Sequence, residues 1–170
     1  MTLPLRPDIG FVPTPTDAMT AMLKLADLTP VDVVYDLGCG DGRLLIQAAV
    51  DYGVQGVGID VDAVLLAQAQ GKADRAGVGD RLRFYQGNLF DADLRQATVV
   101  LIYLLPHLNL RLRPRLLSQL QPGSRVVSHM FDMGSWPPDR TLRPERSEED
   151  SVLYLWRLPQ VIPGHLQPPR

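Results

Sequence analysis

Three glycines at alternate positions, Gly38, Gly40 and Gly42, separate an apolar stretch from a helix-like stretch in 34-VYDLGCGDGRLLIQAA-49. Glycines in this arrangement let a ligand approach backbone N–H groups. A pyrophosphate-binding loop requires G-x-G-x-x-G, and the spacing here breaks that pattern. Asp36 also argues against a dinucleotide, because its carboxylate would repel two phosphates. The same carboxylate suits a ligand with an ammonium or sulfonium cation, which favours S-adenosylmethionine over NAD.

Two further polar residues follow later apolar stretches of the chain. Asp60 ends the next predicted strand, where a carboxylate can accept hydrogen bonds from both ribose hydroxyls. In 86-QGNLF-90, the side-chain oxygen of Asn88 could accept from an adenine amino group, and Leu89 could pack on the ring. Each feature alone has a simpler explanation, an architectural turn or a cap. The three together, in this order, predict an adenosylmethionine site.

Alternating strands and helices are predicted to position these residues. The predicted elements are helix 16–28, strand 31–37, helix 43–52, strand 56–60, helix 62–77, strands 81–86 and 97–105, a helix along 108–120, and strands 125–130 and 151–158. Pro114 is expected to interrupt the helix along 108–120 or to mark its first turn. Short apolar strands between helices predict an α/β fold with a mainly parallel sheet. No helix separates the last two strands, which predicts an antiparallel hairpin at the sheet edge.

Length and composition indicate one ordinary globular domain. The chain has 170 residues, of which 45% are hydrophobic and 21% are charged. We predict a single domain over residues 1–160. It comprises an N-terminal lid and helix over 1–30 and an α/β core over 31–158, and a flexible tail follows over 161–170.

The charge of the chain argues against a polyanionic partner. A formal net charge of -2 gives no bulk attraction to nucleic acid or to an anionic membrane. Arg111, Arg113 and Arg115 form a basic stripe that could meet an acidic partner, although a solvated helix face is the simpler interpretation. We therefore expect no nucleic-acid partner.

Cysteine usage and the N-terminal residues point to the cytoplasm. Cys39 is the single cysteine, which excludes an internal disulfide and a multi-cysteine metal site. No secretory or transit signal is evident in 1-MTLPLRPDIGFVPTP-15. The longest apolar run, 97–106, has about half the length that a membrane-spanning helix needs. We predict a cytoplasmic protein with no transmembrane segment and no metal.

Three motifs carry a family resemblance. The stretches 36-DLGCGDG-42, 58-GID-60 and 87-GNLF-90 resemble those of class I (Rossmann-like) S-adenosylmethionine-dependent methyltransferases, and the resemblance extends from about Asp17 to Leu158. It implies a doubly wound, mainly parallel seven-stranded sheet. Many members of that family have Asp where this chain has Asn88, which can still accept a hydrogen bond. The predicted cofactor contacts are Thr14, Asp36, Gly38, Cys39, Gly40, Asp60, Val61, Asn88 and Leu89.

A narrower resemblance concerns the acceptor. The stretches 12-VPTP-15, 40-GDGRLLIQAA-49, 101-LIYLLP-106 and 126-VVSHMFDMGSWPPD-139 are similar to the small protein-lysine methyltransferases that modify the ATP synthase c subunit and the adenine nucleotide translocase, and to their bacterial relatives. This resemblance implies a compact enzyme that methylates a protein lysine. A small-molecule methyltransferase and a non-catalytic adenosylmethionine-binding module remain as alternatives.

Tyr103 is the first of the residues predicted to contact the methyl acceptor. Class I methyltransferases place the acceptor at the end of the fourth strand, and the Asn/Asp-Pro-Pro-Tyr/Phe motif of enzymes that methylate nucleobases or glutamine is replaced here by 103-YLLP-106. Tyr103 could orient an amine or simply form a wall. Trp136 could line an acceptor channel or pack its loop against the domain. The predicted substrate residues are Tyr103, Pro106, His107 and Trp136, with Tyr103 as the catalytic candidate. His129 falls at a strand end and is interpreted as structural.

Overall fold

The computed structural model describes residues 10–147 and 149–167. Strands and helices alternate through the first two thirds of the chain. In order they are α1 (Thr16–Ala26), β1 (Val33–Leu37), α2 (Arg43–Tyr52), β2 (Gln55–Asp60), α3 (Ala63–Arg75), β3 (Leu82–Gln86), β4 (Val99–Ile102), α4 (Pro106–Gln119), β5 (Arg125–His129), β6 (Arg140–Leu142) and β7 (Leu153–Arg157). Short 3-10 turns occupy Leu89–Asp91 and Gly164–Leu166.

The strands form one sheet in the order β3-β2-β1-β4-β5-β7-β6. The five strands from β3 to β5 pair in parallel, whereas β7 is antiparallel to both β5 and β6. The predicted doubly wound, mainly parallel seven-stranded sheet with an antiparallel C-terminal hairpin is confirmed. The chain order reverses between β1 and β4, so the topological switch point, where ligands bind in such sheets, lies between these two strands.

The two edges of the sheet differ in length. At one edge β3 exposes Arg83 and Tyr85, and at the other β6 has only three residues. Between the edges, β1, β4 and β5 are almost entirely buried, because helices cover both faces of the sheet at its centre. The switch point is therefore built on the most buried strands of the sheet.

Helix α4 differs from its prediction. It begins at Pro106, whose missing N–H is harmless at the first helical position, and it continues through Pro114. A proline inside a helix removes one backbone hydrogen bond. The leucine stripe Leu108, Leu112 and Leu116 is buried along the sheet, at about 1.5–3 kcal/mol for each fully buried leucine. That burial outweighs the loss at Pro114 and keeps the helix continuous.

A buried ion pair joins the start of β5 to the loop before β1. The Arg125 guanidinium pairs with the Asp32 carboxylate, and their side chains are 13% and 7% exposed. Arg125 also donates to the backbone oxygens of Ala26 and Asp27, at 2.7 Å each, which satisfies carbonyls at the end of α1. The hydroxyl of Thr98 donates to Asp32 at 2.7 Å. This network fastens α1 to the parallel strands.

The C-terminal segment packs more closely than its composition suggests. The sequence predicts a flexible tail from residue 161, but Gly164–Leu166 form a 3-10 turn and Leu166 is buried in the same apolar cluster as Trp156. Leu166 and the partly buried Ile162 both pack against this core and hold the segment on the domain. Residues 168–170 lie outside the described residues, as do residues 1–9 of the predicted N-terminal lid.

Gly58 provides a test of how tightly the glycine loop packs on the sheet. A Cβ at Gly58 would lie 2.8 Å from both Cys39 Sγ and Phe84 Cδ1. We expect Gly58→Ala to lower the free energy of unfolding by about 1–3 kcal/mol, since such overpacking displaces neighbours that have no free space. Gly164→Ala is the control, because nothing lies within 4 Å of its added methyl. Equal thermal midpoints for the two variants would contradict the expected packing.

Candidate cofactor and acceptor site

The glycine loop leaves β1 and turns back onto the end of β2. Gly38, Gly40 and Gly42 have φ angles of 86°, 54° and 78°, in the left-handed region that favours glycine. The amides of Gly38 and Cys39 donate to the Ile59 oxygen at 2.8 and 3.0 Å, and the Gly40 amide donates to Asp60 Oδ2 at 2.8 Å. These amides are bonded to β2, so they do not form a phosphate cradle.

Asp60 organises the loop from the end of β2. Its Oδ2 accepts from Gly40 and its Oδ1 accepts from the amide of Asp62 at 3.0 Å. Asp62 in turn caps α3 by accepting from the amides of Val64 and Leu65. The carboxylate of Asp60 is half-buried and lines the cleft described below, so its remaining lone pairs can meet a ligand.

Asp36 is a buried acid without a partner among the described residues. Its side chain is at the carboxyl end of β1 and is 6% exposed, and it has no hydrogen bond or ion pair within that part of the chain. Burial, together with the charges of Asp60 and Asp41, raises the pKa of Asp36 to about 7. A buried carboxyl of this kind is suited to a ligand cation, because ionisation becomes favourable once a positive charge lies beside it.

Asp41 has a different role in the same loop. Its carboxylate accepts from Arg43 at 2.8 Å and from Lys72 at 2.5 Å. Burial raises the pKa of Asp41, but the hydrogen bonds and charges of Arg43 and Lys72 outweigh burial and lower it to about 2. Asp41 therefore ties the loop to α2 and α3 and stays ionised, and its charge is already balanced.

Two adjoining cavities occupy the carboxyl ends of the strands. The larger, of about 220 Å³, extends over β2 and β3, and the smaller, of about 40 Å³, extends over the glycine loop to Asp36. Phe11, Val12, Gly38 and Tyr103 line both. We call the two together the cleft. Its lining includes these predicted cofactor contacts: Thr14, Asp36, Gly38, Cys39, Asp60, Val61, Asn88 and Leu89.

Gly40 is the predicted contact that the structure does not bring into the lining. The ring of Phe11 covers it, and a Cβ added at Gly40 would lie 2.7 Å from Phe11 Cδ2. Phe11 also lies 5.8 Å from the Arg43 guanidinium, measured to the ring centroid. Sequence reasoning missed Phe11 and Val12, although two apolar residues before a Thr-Pro pair are a usable signal for a segment that packs on a cleft.

Thr14 and Asn88 both line the cleft, and their local contacts differ. Thr14 lines the smaller cavity and does not cap α1, whose N-cap is Pro15. Asn88 Oδ1 accepts from the Phe90 amide at 3.0 Å and so caps the 3-10 turn. A carbonyl oxygen has two lone pairs, so Asn88 can cap the turn and still accept from a second donor. Burial raises the pKa of the Cys39 thiol, which keeps it protonated and inert.

Tyr103 lies on the far side of the switch point from the glycine loop. It follows the last residue of β4, which ends at Ile102 and is shorter than predicted. Its half-buried side chain lines both cavities, and the neighbouring Leu104 packs against Gly38. Burial, and to a smaller extent the charge of Glu149, raises the pKa of the Tyr103 hydroxyl. The hydroxyl is thus a neutral hydrogen-bonding group beside the cleft.

The other predicted acceptor residues lie outside the cleft lining. Pro106 and His107 are exposed on the first turn of α4. The prediction that Trp136 contacts the substrate is wrong. Its side chain is 5% exposed and packs on Trp156, with ring centroids 5.8 Å apart. Trp156 Nε1 donates to the Trp136 backbone oxygen at 2.8 Å. Trp136 therefore anchors the loop before β6 to the core and does not line an acceptor channel.

The basic stripe on α4 is engaged in internal contacts. Arg113 donates to the Met133 oxygen at 2.8 Å, and Arg115 donates to the Ala92 oxygen at 2.7 Å. The Arg111 guanidinium lies 4.0 Å above the centroid of the Phe90 ring. Arg113 and Arg115 tie α4 to neighbouring loops, whereas Arg111 is exposed and lines the larger cavity of the cleft.

Metal-ligand clusters and membrane-spanning helices are both absent from the described part of the chain. Within residues 10–147 and 149–167, no cluster of three or more His, Cys, Asp or Glu side chains has the arrangement of a metal site. Among the same residues, every helix is too short or too polar to cross a membrane.

The topology and the cleft are those of class I S-adenosylmethionine-dependent methyltransferases. The family model of the ANTKMT methyltransferase domain matches residues 36–140, and the chain belongs to this family. A structure of an RNA methyltransferase from Salinibacter ruber, solved with S-adenosyl-L-homocysteine, is 50% identical with a TM-score of 0.86. That match covers 92% of this chain and 100% of the other. The methyltransferase class and the S-adenosylmethionine cofactor predicted from the sequence are confirmed.

Two relatives bear on the acceptor. A protein-lysine N-methyltransferase of Saccharolobus islandicus is 38% identical over 151 residues, which cover 88% of this chain and 94% of that protein. A Xenopus laevis lysine N-methyltransferase named for the ATP synthase c subunit is 32% identical over 131 residues, which cover 77% of this chain and 57% of that protein. The chain thus spans little more than half the length of the Xenopus relative.

Asp36 predicts a pH dependence of cofactor binding. The pKa of Asp36 is raised to about 7, so its carboxyl is mainly neutral below that pH in the ligand-free protein. The stability that Asp36 contributes to the folded state is therefore present at low pH and is lost as the pH rises through about 7. A bound ammonium group favours the ionised form instead. We expect the affinity for S-adenosylhomocysteine to fall as the pH drops below about 7, with proton release on binding at pH 6.

Calorimetry in buffers of different ionisation enthalpy measures that proton release. Asp36→Asn should bind more weakly and show no such pH dependence, because the amide does not titrate. Asp51→Asn, which changes an exposed carboxylate bonded to Gln47, is the matched control and should behave like the wild type. Binding without proton release at pH 6 in the wild type would contradict the assignment of Asp36.

Proposed function

We propose that this methyltransferase transfers the methyl group of S-adenosylmethionine to the ε-amine of a protein lysine. The observation that carries the proposal is the continuity of the cleft from the unpaired Asp36, where the cofactor ammonium is proposed to lie, to Tyr103 at the switch point. Glu149 places a negative charge near Tyr103. A lysine ammonium is attracted to such a site. The two relatives named as lysine methyltransferases support the same acceptor class.

The proposed cofactor site divides the cleft into two parts. In the larger cavity, Asp60 accepts from the ribose hydroxyls, while Val61 and Leu89 pack beside the adenine and Asn88 accepts from its amino group. In the smaller cavity, Asp36 faces the ammonium group of the methionine portion and Thr14 its carboxylate, with Gly38 and Cys39 close to the chain of the ligand. This assignment matches the cationic end of the ligand to the unpaired buried acid.

The proposed chemistry requires positioning more than a strong base. The bound cofactor supplies a methyl group on a sulfonium, which a nucleophile displaces in line. A lysine amine has a free pKa of about 10.4, so making it neutral near pH 7.4 costs roughly 4 kcal/mol. Desolvation beside a sulfonium lowers that pKa. Tyr103 is proposed to orient the amine through its hydroxyl, and orientation alone supplies up to roughly 7–11 kcal/mol in ideal systems.

A second acceptor class comes from the Salinibacter protein, which is named as an RNA methyltransferase. Against RNA, the net charge is -2, and the half-buried Arg113 and Arg115 bond to backbone oxygens within the domain. RNA binding depends on cationic groups that are free to neutralise phosphates. The lysine acceptor therefore fits the charge distribution better.

Labelled-methyl transfer into a lysate of a strain that lacks this protein tests the acceptor class. We expect label in the protein fraction that is sensitive to protease and resistant to ribonuclease, and mass spectrometry should identify methylated lysine. Asp60→Ala serves as the cofactor-deficient control. Label in RNA or in a dialysable compound would overturn the lysine acceptor. Tight cofactor binding without transfer to any fraction would instead support the non-catalytic module.

A further inference from the structure

His129 is fully buried directly behind the acceptor side of the cleft. It is the last residue of β5, with 0% of its surface exposed. Its ring centroid lies 4.2 Å from that of Tyr103, and the two planes are inclined by 56°. The Tyr103 ring therefore rests on the imidazole on one side and faces both cavities on the other.

One nitrogen of this imidazole is held and the other is not. His129 Nε2 is 2.8 Å from Ser151 Oγ, while Nδ1 is buried and has no hydrogen-bond partner among the described residues. Ser151 is itself held, because its amide donates to Ser147 Oγ at 2.9 Å. The hydrogen bond with Ser151 fixes the rotation of the imidazole ring. The unpaired Nδ1 makes no hydrogen bond that could also hold the ring.

The environment of His129 keeps the imidazole uncharged. Burial lowers its pKa to about 4, and the charge of Asp17 on α1 only partly opposes this effect. Tyr103, Ser151 and Asp17 face it from the loop after β4, the loop before β7 and α1. A neutral ring leaves the acceptor side free of a positive charge that would repel both the cofactor sulfonium and a lysine ammonium.

We propose that His129 is a positioning residue for methyl transfer: held by Ser151, its ring sets the orientation of the Tyr103 ring at the acceptor side of the cleft. This inference rests on the proposed function only in one respect, the orientation of the acceptor amine by Tyr103. His129 itself touches neither the cofactor nor the acceptor. It acts through Tyr103, so its loss changes the rate of transfer and leaves cofactor binding intact.

Ser151→Ala is the main test, because it removes the hydrogen bond and keeps the imidazole. The rate of labelled-methyl incorporation into the protein fraction of the lysate, at saturating cofactor, should fall about 10- to 100-fold, the effect of a small misplacement of a reacting group. The dissociation constant for S-adenosylhomocysteine should stay within about twofold of the wild type. Ser118→Ala is the matched control, since this exposed hydroxyl bonds only to its own helix.

A spectroscopic measurement separates this inference from the proposed acceptor. The ring signals of Tyr103 in an NMR spectrum, assigned with Tyr103→Phe, should shift in Ser151→Ala and stay in place in Ser118→Ala. This NMR measurement needs no methyl acceptor, so it remains valid even if the wild type labels no protein. If Ser151→Ala does not fold, His129→Phe replaces it with the same readouts. Unchanged Tyr103 signals together with an unchanged rate would overturn the positioning role.

Discussion

Asp60→Ala is expected to weaken the binding of S-adenosylhomocysteine by about 2–3 kcal/mol, or roughly 30- to 150-fold. Two losses combine in this variant. The carboxylate is proposed to accept charge-assisted hydrogen bonds from the ribose hydroxyls. It also accepts from the amides of Gly40 and Asp62, at 2.8 and 3.0 Å, so its removal releases the glycine loop from the end of β2.

Calorimetric titration measures this loss, and two variants sharpen it. Asp60→Asn keeps one oxygen that can accept but removes the charge, so its affinity should fall between those of Asp60→Ala and the wild type. Asp74→Ala is the control, because its exposed carboxylate bonds only to Gln70 and lies away from the cleft. An Asp60→Ala affinity equal to that of the wild type would show that the ribose assignment is wrong.

Arg125→Met is expected to lower the free energy of unfolding by about 3 kcal/mol. Breaking a buried pair leaves an uncompensated charge, which typically costs about 3–5 kcal/mol. Asp32 would keep its hydrogen bonds from the Thr29 amide and the Thr98 hydroxyl, at 2.8 and 2.7 Å, which favours the lower end of that range. For a chain of this length the thermal midpoint should fall by about 6–12 °C.

Two comparisons isolate the buried charge as the cause. Asp32→Asn combined with Arg125→Met removes both charges and should be more stable than the sum of the two single changes predicts. Arg95→Met breaks the exposed pair of Arg95 with Asp93, and its midpoint should match the wild type. An equal loss in Arg95→Met and Arg125→Met would contradict the role of burial.

Local patterns predicted the central fold well. Strand β1 and the glycine turn that follows it are β-branched residues followed by glycines, and the order of strands and helices requires a parallel sheet. Three features escaped this reasoning. Strand β6 has three residues and forms by pairing with β7, so its own sequence carries little signal. Pro114 is tolerated because of leucine burial, and the turn at Gly164–Leu166 is held by apolar contacts of Ile162 and Leu166 with core residues from distant parts of the chain.

The sequence predicts the cofactor side of the site better than the acceptor side. Asp36, Asp60 and the glycines occur at strand ends, where topology fixes their position, and the structure gathers them at the cleft. The acceptor side depends on contacts between residues far apart in the chain. Trp136 was misplaced because a tryptophan in a proline-rich loop gives no indication of which surface it covers. The contacts of His129 with Tyr103 and Ser151 likewise join three separate segments, which no spacing rule detects.

The edges of the sheet bear on how this molecule meets other chains. An exposed strand edge is a template on which a foreign strand can add, and proteins avoid this with short strands, charges and prolines. Strand β6 is short, begins at the exposed Arg140 and follows Pro137 and Pro138 closely. At the opposite edge β3 presents the exposed Arg83. The β6 edge is therefore a poor template for strand addition, whereas the β3 edge, with the exposed Tyr85 beside Arg83, is the less protected of the two.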